Sequence, residues 1–224
     1  MRMLWIVLLG ATACGPGNVM IGGTLKDGIS GEVIEGGEVC FTAAEQVLCA
    51  TSDADGYAEM EVAANSDIVD LRVEADGYYP TNTYGHTTDE DNVDVVLSIL
   101  HTDAKNLIEL STGVEIDETK GVISFFANDV AGVAGVGAVG VSVSLAPSSG
   151  ELLYLSQDRV PVADATATVD TGAAVFMNVN PGSATLSAPA DCAAVFTYAD
   201  FAGTQEIVIK ANEITFLQVE CEDM

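Results

Sequence analysis

Ala50-Thr51-Ser52-Asp53-Ala54-Asp55-Gly56-Tyr57-Ala58-Glu59-Met60-Glu61-Val62 decides the fold. Its second half alternates, with Ala58, Met60 and Val62 on one face of an extended chain and Tyr57, Glu59 and Glu61 on the other. A period of two with one apolar and one polar face marks a half-buried antiparallel strand. Its first half, Asp53-Ala54-Asp55-Gly56, is turn chemistry, because aspartate closes a turn onto its own backbone and glycine accepts positive φ.

Further strand patterns lie at residues 19–25, 38–43, 46–51, 70–75 and 93–97. Lys26-Asp27-Gly28, Gly36-Gly37 and Asp76-Gly77 punctuate them. Residues 102–112 (TDAKNLIELST) predict a helix, with Thr102 or Asp103 as cap, Leu107, Ile108 and Leu110 apolar, and Gly113 as stop. Beyond it the pattern repeats. Residues 33–41 align with 136–145, 69–75 with 182–188, and the opening stretch, 50–62, with 167–179 after a one-residue gap. The expected fold is all-β: two tandem small antiparallel β-sandwiches of transthyretin-like or immunoglobulin-like type joined by a short helix. The first sandwich covers residues 19–100, the connection 101–118 and the second sandwich 119–224.

Nearly half of the 224 residues are hydrophobic, so the chain can bury a core, while its net charge is -27 with only seven Lys plus Arg. That balance excludes nucleic acid and anionic membrane patches as partners. The chain opens with Arg2, an apolar run at residues 3–9 and the small residues Gly10-Ala11-Thr12-Ala13, which read as a signal peptide over residues 1–13 followed by a tether at 14–18. The run is too short to span a bilayer. Residues 130–146 are uncharged, but serines alternate with valines there, which predicts strand and loop rather than a membrane span.

Five cysteines remain to be placed. Disulfides persist in oxidising compartments, so four of them are expected to pair outside the cytosol. Three connectivities are open; proximity in sequence favours Cys40 with Cys49 and Cys192 with Cys221. Zinc is the competing account, and no metal-ligand spacing supports it.

Two resemblances extend this reading. Ala11-Thr12-Ala13-Cys14 resembles the lipobox of bacterial lipoproteins, with Ala11 where a leucine is usual. The resemblance implies acylation of Cys14 and, with Gly15 following, placement at the outer membrane or cell surface; ordinary cleavage after Ala13 is the alternative. The elements T-S-D-A-D-G-Y (51–57) and A-D-G-Y-Y-P (75–80), in that order, resemble the carboxypeptidase regulatory-like domain over residues 19–100. The second half resembles it less closely. That family implies a transthyretin-like sandwich grouped with carbohydrate-binding-like folds, used as a non-catalytic accessory or adhesive module, with no catalytic residues and no cofactor to transfer.

Candidate sites are few. Tyr78, Tyr79 and Tyr84 could form an exposed stacking platform for sugar rings, since an aromatic face fits the apolar face of a pyranose. Asp53 and Asp55 look like the opening of a calcium loop, but Asn65 stands at its twelfth position in place of glutamate. Asp89-Glu90-Asp91 with Asp94 reads as a solvated acidic run. His86 and His101 with two tyrosines would suit a ring-cleaving iron site, yet the close His spacing such a site needs is absent. The expected function is therefore a non-catalytic lipoprotein, structural or adhesive at the cell envelope, with envelope glycans or proteins as partners. The alternatives are a carbohydrate-binding surface protein using the three tyrosines and a metal-dependent enzyme.

Overall fold

The computed structural model describes residues 17–43, 46–65, 70–84, 87, 89–129, 137–189, 192–194 and 204–221. Residues 1–13, Cys14 and His86 lie outside the described residues. The chain is mostly β. In order it forms β1 (Asn18–Asp27), β2 (Glu38–Ala43), β3 (Gln46–Thr51), β4 (Tyr57–Ala63), β5 (Asp70–Glu74), β6 (Thr81–Thr83) and β7 (Asn92–Ile99). A 3-10 turn (Thr102–Ala104) and α1 (Lys105–Thr112) follow. Then come β8 (Gly121–Asp129), β9 (Ser144–Ala146), β10 (Glu151–Tyr154), β11 (Ala173–Val179), β12 (Gly182–Ser187), β13 (Cys192–Ala194), β14 (Thr204–Ile209) and β15 (Ile214–Cys221).

The helix ends as its sequence requires, on Gly113 in the left-handed region at φ 74°. Its start differs from the expected Thr102 or Asp103 cap. The His101 ring accepts the Asp103 N–H and caps the 3-10 turn, so α1 begins on Ala104 with no side-chain cap. Among the described residues no helix is long and apolar enough to cross a membrane.

One nine-stranded sheet runs β10-β11-β8-β15-β6-β5-β2-β3, with β13 also on β15. Two three-stranded sheets, β4-β1-β7 and β14-β12-β9, pack against it. The large sheet crosses from one half of the chain to the other through a parallel pairing of three residues, Thr81, Asn82 and Thr83 of β6 with Ile214, Thr215 and Phe216 of β15.

Residues directly opposed across neighbouring strands share a face. The row Phe176, Ile123, Thr215, Asn82, Arg72, Cys40 crosses the large sheet in register. Phe176 and Ile123 lie in the core of residues 123–221, whereas Arg72 and Cys40 point away from the core of residues 19–99. The next row, Phe41, Leu71, Thr83, Phe216, Ser124, does the reverse, with Phe41 buried and Ser124 outside the C-terminal core. The two small sheets therefore cover opposite faces of the large one.

The internal repeat is visible in the pairings. β1 lies between antiparallel β4 and parallel β7, and β8 lies between antiparallel β11 and parallel β15. The same latch holds each turn. Ser52 Oγ donates to the Ile34 carbonyl at 2.7 Å and accepts the Gly37 N–H at 2.9 Å. Thr168 Oγ1 donates to the Ala138 carbonyl at 2.6 Å and accepts the Val141 N–H at 2.9 Å. Leu25 N–H donates to Gly56 O, and Ala127 N–H donates to Gly172 O. Gly56 and Gly172 sit at φ 74° and 65°, conformations that side chains disfavour. These pairs fix the alignment at Ser52 with Thr168, and the one-residue gap falls later. It falls where β11 changes register between Phe176 and Val179, and Asn178 there stands at φ 57°. A single extra residue on one strand of an antiparallel pair is a β-bulge.

Both disulfides join directly opposed residues of antiparallel strands, Cys40 to Cys49 across β2 and β3, and Cys192 to Cys221 across β13 and β15. This is the pairing that sequence proximity favours.

Candidate functional site

The three tyrosines do not form an exposed platform. Tyr79 and Tyr84 are 7% and 8% exposed, and Tyr78 packs partly buried against the N-terminal core. Tyr78 meets the His101 ring edge-on at 5.0 Å. Tyr84 belongs to the C-terminal core, where its hydroxyl accepts the Val208 N–H at 2.7 Å. Burial raises the pKa of all three hydroxyls, and the nearby Asp27 charge adds to this at Tyr78. The physical reason is tertiary: Tyr84 meets a partner 124 residues away, and Tyr78 and Tyr79 lie against His101 and Leu100 just past β7.

Two of the acidic candidates hold the backbone. Asp53 Oδ1 accepts the N–H groups of Asp55 and Tyr57, both at 2.9 Å, and so builds the turn. Asp91 Oδ1 accepts the Met20 N–H at 2.8 Å and ties its loop to β1. Asp27 caps the next turn by accepting from Ser30 and Ile29, and the Ser30 backbone bond is the main cause of its lowered pKa. Glu38, Cys40 and Cys49 cluster within 4.8 Å, but both sulfurs are committed to the disulfide.

What the fold does create is an apolar groove of about 250 Å³ between the small N-terminal sheet and the large sheet. Its floor is Leu71, Val73, Thr81, Thr83, Phe216 and Gln218, contributed by β5, β6 and β15. Its roof comes from β1 and β4, and its side wall is five consecutive residues of β7, 95–99. Since successive side chains point to opposite faces, a wall using every residue is the strand's backbone edge. Tyr84 is the one titratable residue among the lining, and its hydroxyl is held by Val208; the hydroxyls of Thr81, Thr83 and Ser98 and the Gln218 amide are the other polar side-chain groups there, so the groove offers mainly apolar contact and backbone. The sequence signal for it was weak. Phe216 and Leu71 meet only through β6, far away in the chain.

Beneath the seam, on the opposite face, lies a polar cluster. Glu213 is 3% exposed and accepts from Arg72 Nε at 3.0 Å, with Lys210 Nζ at 3.7 Å. Arg72 also pairs with Glu74. Asn82 and Thr215 are buried side by side, and their side-chain polar atoms have no hydrogen-bond partner. An orphaned buried polar group costs about 1–3 kcal/mol.

No protein-family model matches the chain, and no curated protein matches it. Among solved structures, the minor pilin GBS52 of Streptococcus agalactiae aligns over 92% of this chain and 96% of its own at 12% identity, with a TM-score of 0.29. The shaft pilin SpaA of Lactobacillus rhamnosus GG aligns over 93% and 99% at 11% identity, with a TM-score of 0.29. The Bacillus anthracis TIE protein aligns over 92% of this chain at 16% identity and a TM-score of 0.27, and the chain spans 34% of its length. Likenesses this loose carry no inference about fold or role.

Proposed function

We propose that the chain is an exported, lipid-anchored, non-catalytic protein of the bacterial cell envelope. Two tandem sandwich modules of carboxypeptidase regulatory-like type form a structural or adhesive binding unit. The observation that carries this reading is the apolar groove with its open backbone edge, a binding feature with no carboxylate, histidine, lysine or arginine along its lining. The two disulfides support an oxidising compartment. The sequence before β1 supports an anchor: an apolar run, small residues and then Cys14, after which only four residues precede Val19 in β1. A diacylated cysteine with a third chain on its amine would hold the protein stably at a membrane surface. Envelope proteins or glycans are then the partners within reach.

The test is the intact mass of protein extracted from its native membrane, with and without reduction before thiol alkylation. The expected mass begins at Cys14 and carries acyl chains, and four alkylatable thiols appear only after reduction. A mass that retains Met1, or thiols free before reduction, overturns the exported reading.

A further inference from the structure

We infer that the groove beside β7 is a docking edge for an extended segment of another protein, which adds to the small N-terminal sheet as a fourth strand. This rests on reading the chain as a non-catalytic binding unit, and the lipid on Cys14 plays no part in it. Among the described residues β7 has one strand partner, β1, and its opposite edge faces the groove. An unpaired edge over an apolar floor is the arrangement that β-strand addition uses: main-chain hydrogen bonds on one side, pockets for alternate side chains below.

The molecule itself supplies the precedent. β15 is the counterpart of β7, each the parallel neighbour of its central strand. The outer edge of β15 is filled twice, by Thr81–Thr83 in parallel and by Cys192–Ala194 in antiparallel pairing. Extended segments of three residues complete that edge. At β7 the same position is open, and apolar side chains that should be covered are not: Val95, Leu97 and Leu71 stay part-exposed beside a fully buried Ile99, and Val96 is 58% exposed. Residues 95–99 offer about 17 Å of edge, room for five extended residues.

Charge selects the occupant. Asp89, Glu90 and Asp91 stand exposed before β7, and Asp27 and Asp103 lie at its far end, with Lys26 opposite Ser98 the nearby cation on β1. The chain carries -27 overall, which opposes a second copy of itself. The fitting partner is a strand with small apolar residues at alternate positions and Lys or Arg at its ends.

The probe is a nine-residue peptide, valine alternating with threonine over five residues and two lysines at each end, added to the full folded chain. Hydrogen exchange is followed at single-amide resolution. The expected result is slowed exchange at Val96 and Ser98, whose N–H groups alternate away from β1, with at least tenfold weaker binding both when every valine and threonine nitrogen is methylated and when the lysines become glutamates. Equal binding of the methylated peptide, protection on β3 or β14 in place of β7, or no binding at millimolar peptide overturns the proposal. So does concentration-dependent self-association of the chain that protects Val96 and Ser98 without peptide. A failed intact-mass test with a positive exchange result would overturn the anchor and leave the docking edge standing.

Discussion

Among the described residues, twenty buried apolar residues, one of them Tyr84 from the N-terminal half, close over one another in the C-terminal core, and the outer edge of the strand beside the central one is taken by two short segments. In the N-terminal core, eleven do so, and the corresponding edge, β7, has no partner among the described residues. Both halves use the same central trio of strands and the same hydroxyl latch. The difference shows that the repeated pairing fixes topology but not closure. Closure depends on which segment comes to rest on the last edge, and β6, a piece of the N-terminal half, closes the C-terminal one.

If the shared sheet makes the halves one cooperative unit, emptying either core should unfold both together. Phe125→Ala and Phe41→Ala remove fully buried rings and should each cost about 3–5 kcal/mol. Urea unfolding followed by tyrosine fluorescence and far-ultraviolet circular dichroism should show one transition in each variant. Two separated transitions would break the picture of a load-sharing sheet. Next in size are the disulfides. Chain-entropy arguments give roughly 3.5 kcal/mol for Cys192–Cys221, 29 residues apart, and roughly 2.5 for Cys40–Cys49, nine apart. Paired alanine variants compared by thermal melting should rank in that order, and the reverse order would place extra stability at the β2–β3 hairpin.

The turn glycines sharpen the comparison further. A Cβ at Gly172 would stand 1.9 Å from Ala127 O, and one at Gly56 would stand 2.8 Å from Leu25 O. Gly172→Ala should cost about 3 kcal/mol and Gly56→Ala about 1–2, since left-handed strain of that size is common to both. Equal losses on denaturant titration would mean that the C-terminal turn relaxes. Ser52→Ala and Thr168→Val each orphan one buried carbonyl and one N–H, for about 1–2 kcal/mol apiece. Unequal losses would show that one latch is redundant.

The smallest effect is in acid. The folded pKa of Asp27 is lowered, so its contribution is present above the unfolded value and lost as pH falls through the folded one. Asp27→Asn should therefore destabilise at neutral pH and converge with the wild type below about pH 4. Parallel melting curves at every pH would remove Asp27 from the turn's energetics.

Much of this was legible in the residues. β2 and β3 fall at the expected positions because cysteine, valine and phenylalanine alternate between turn signals, and β4 follows its aspartate turn. The repeat was visible too, though its gap sits at the Asn178 bulge, which no local pattern marks. β6 escaped notice because three residues after Pro80 carry no period. Tyr84 misled for the same reason that the groove stayed hidden, since its partner Val208 on β14 is 124 residues away; Tyr78 and Tyr79 are covered from nearer in the chain, beside His101 and Leu100. A hydroxyl four residues before each turn glycine, Ser52 before Gly56 and Thr168 before Gly172, was the available signal for the latch.

The three-residue bridge between β6 and β15 also bears on how divisible the chain is. A protease that cut the connection between Gly113 and Gly121 would sever the peptide but not the sheet, the Tyr84–Val208 contact or the Arg72–Glu213 pair. The two fragments should travel together through a sizing column, whereas either half made alone would present a naked seam, with the buried Glu213 left to Lys210 alone in the C-terminal one.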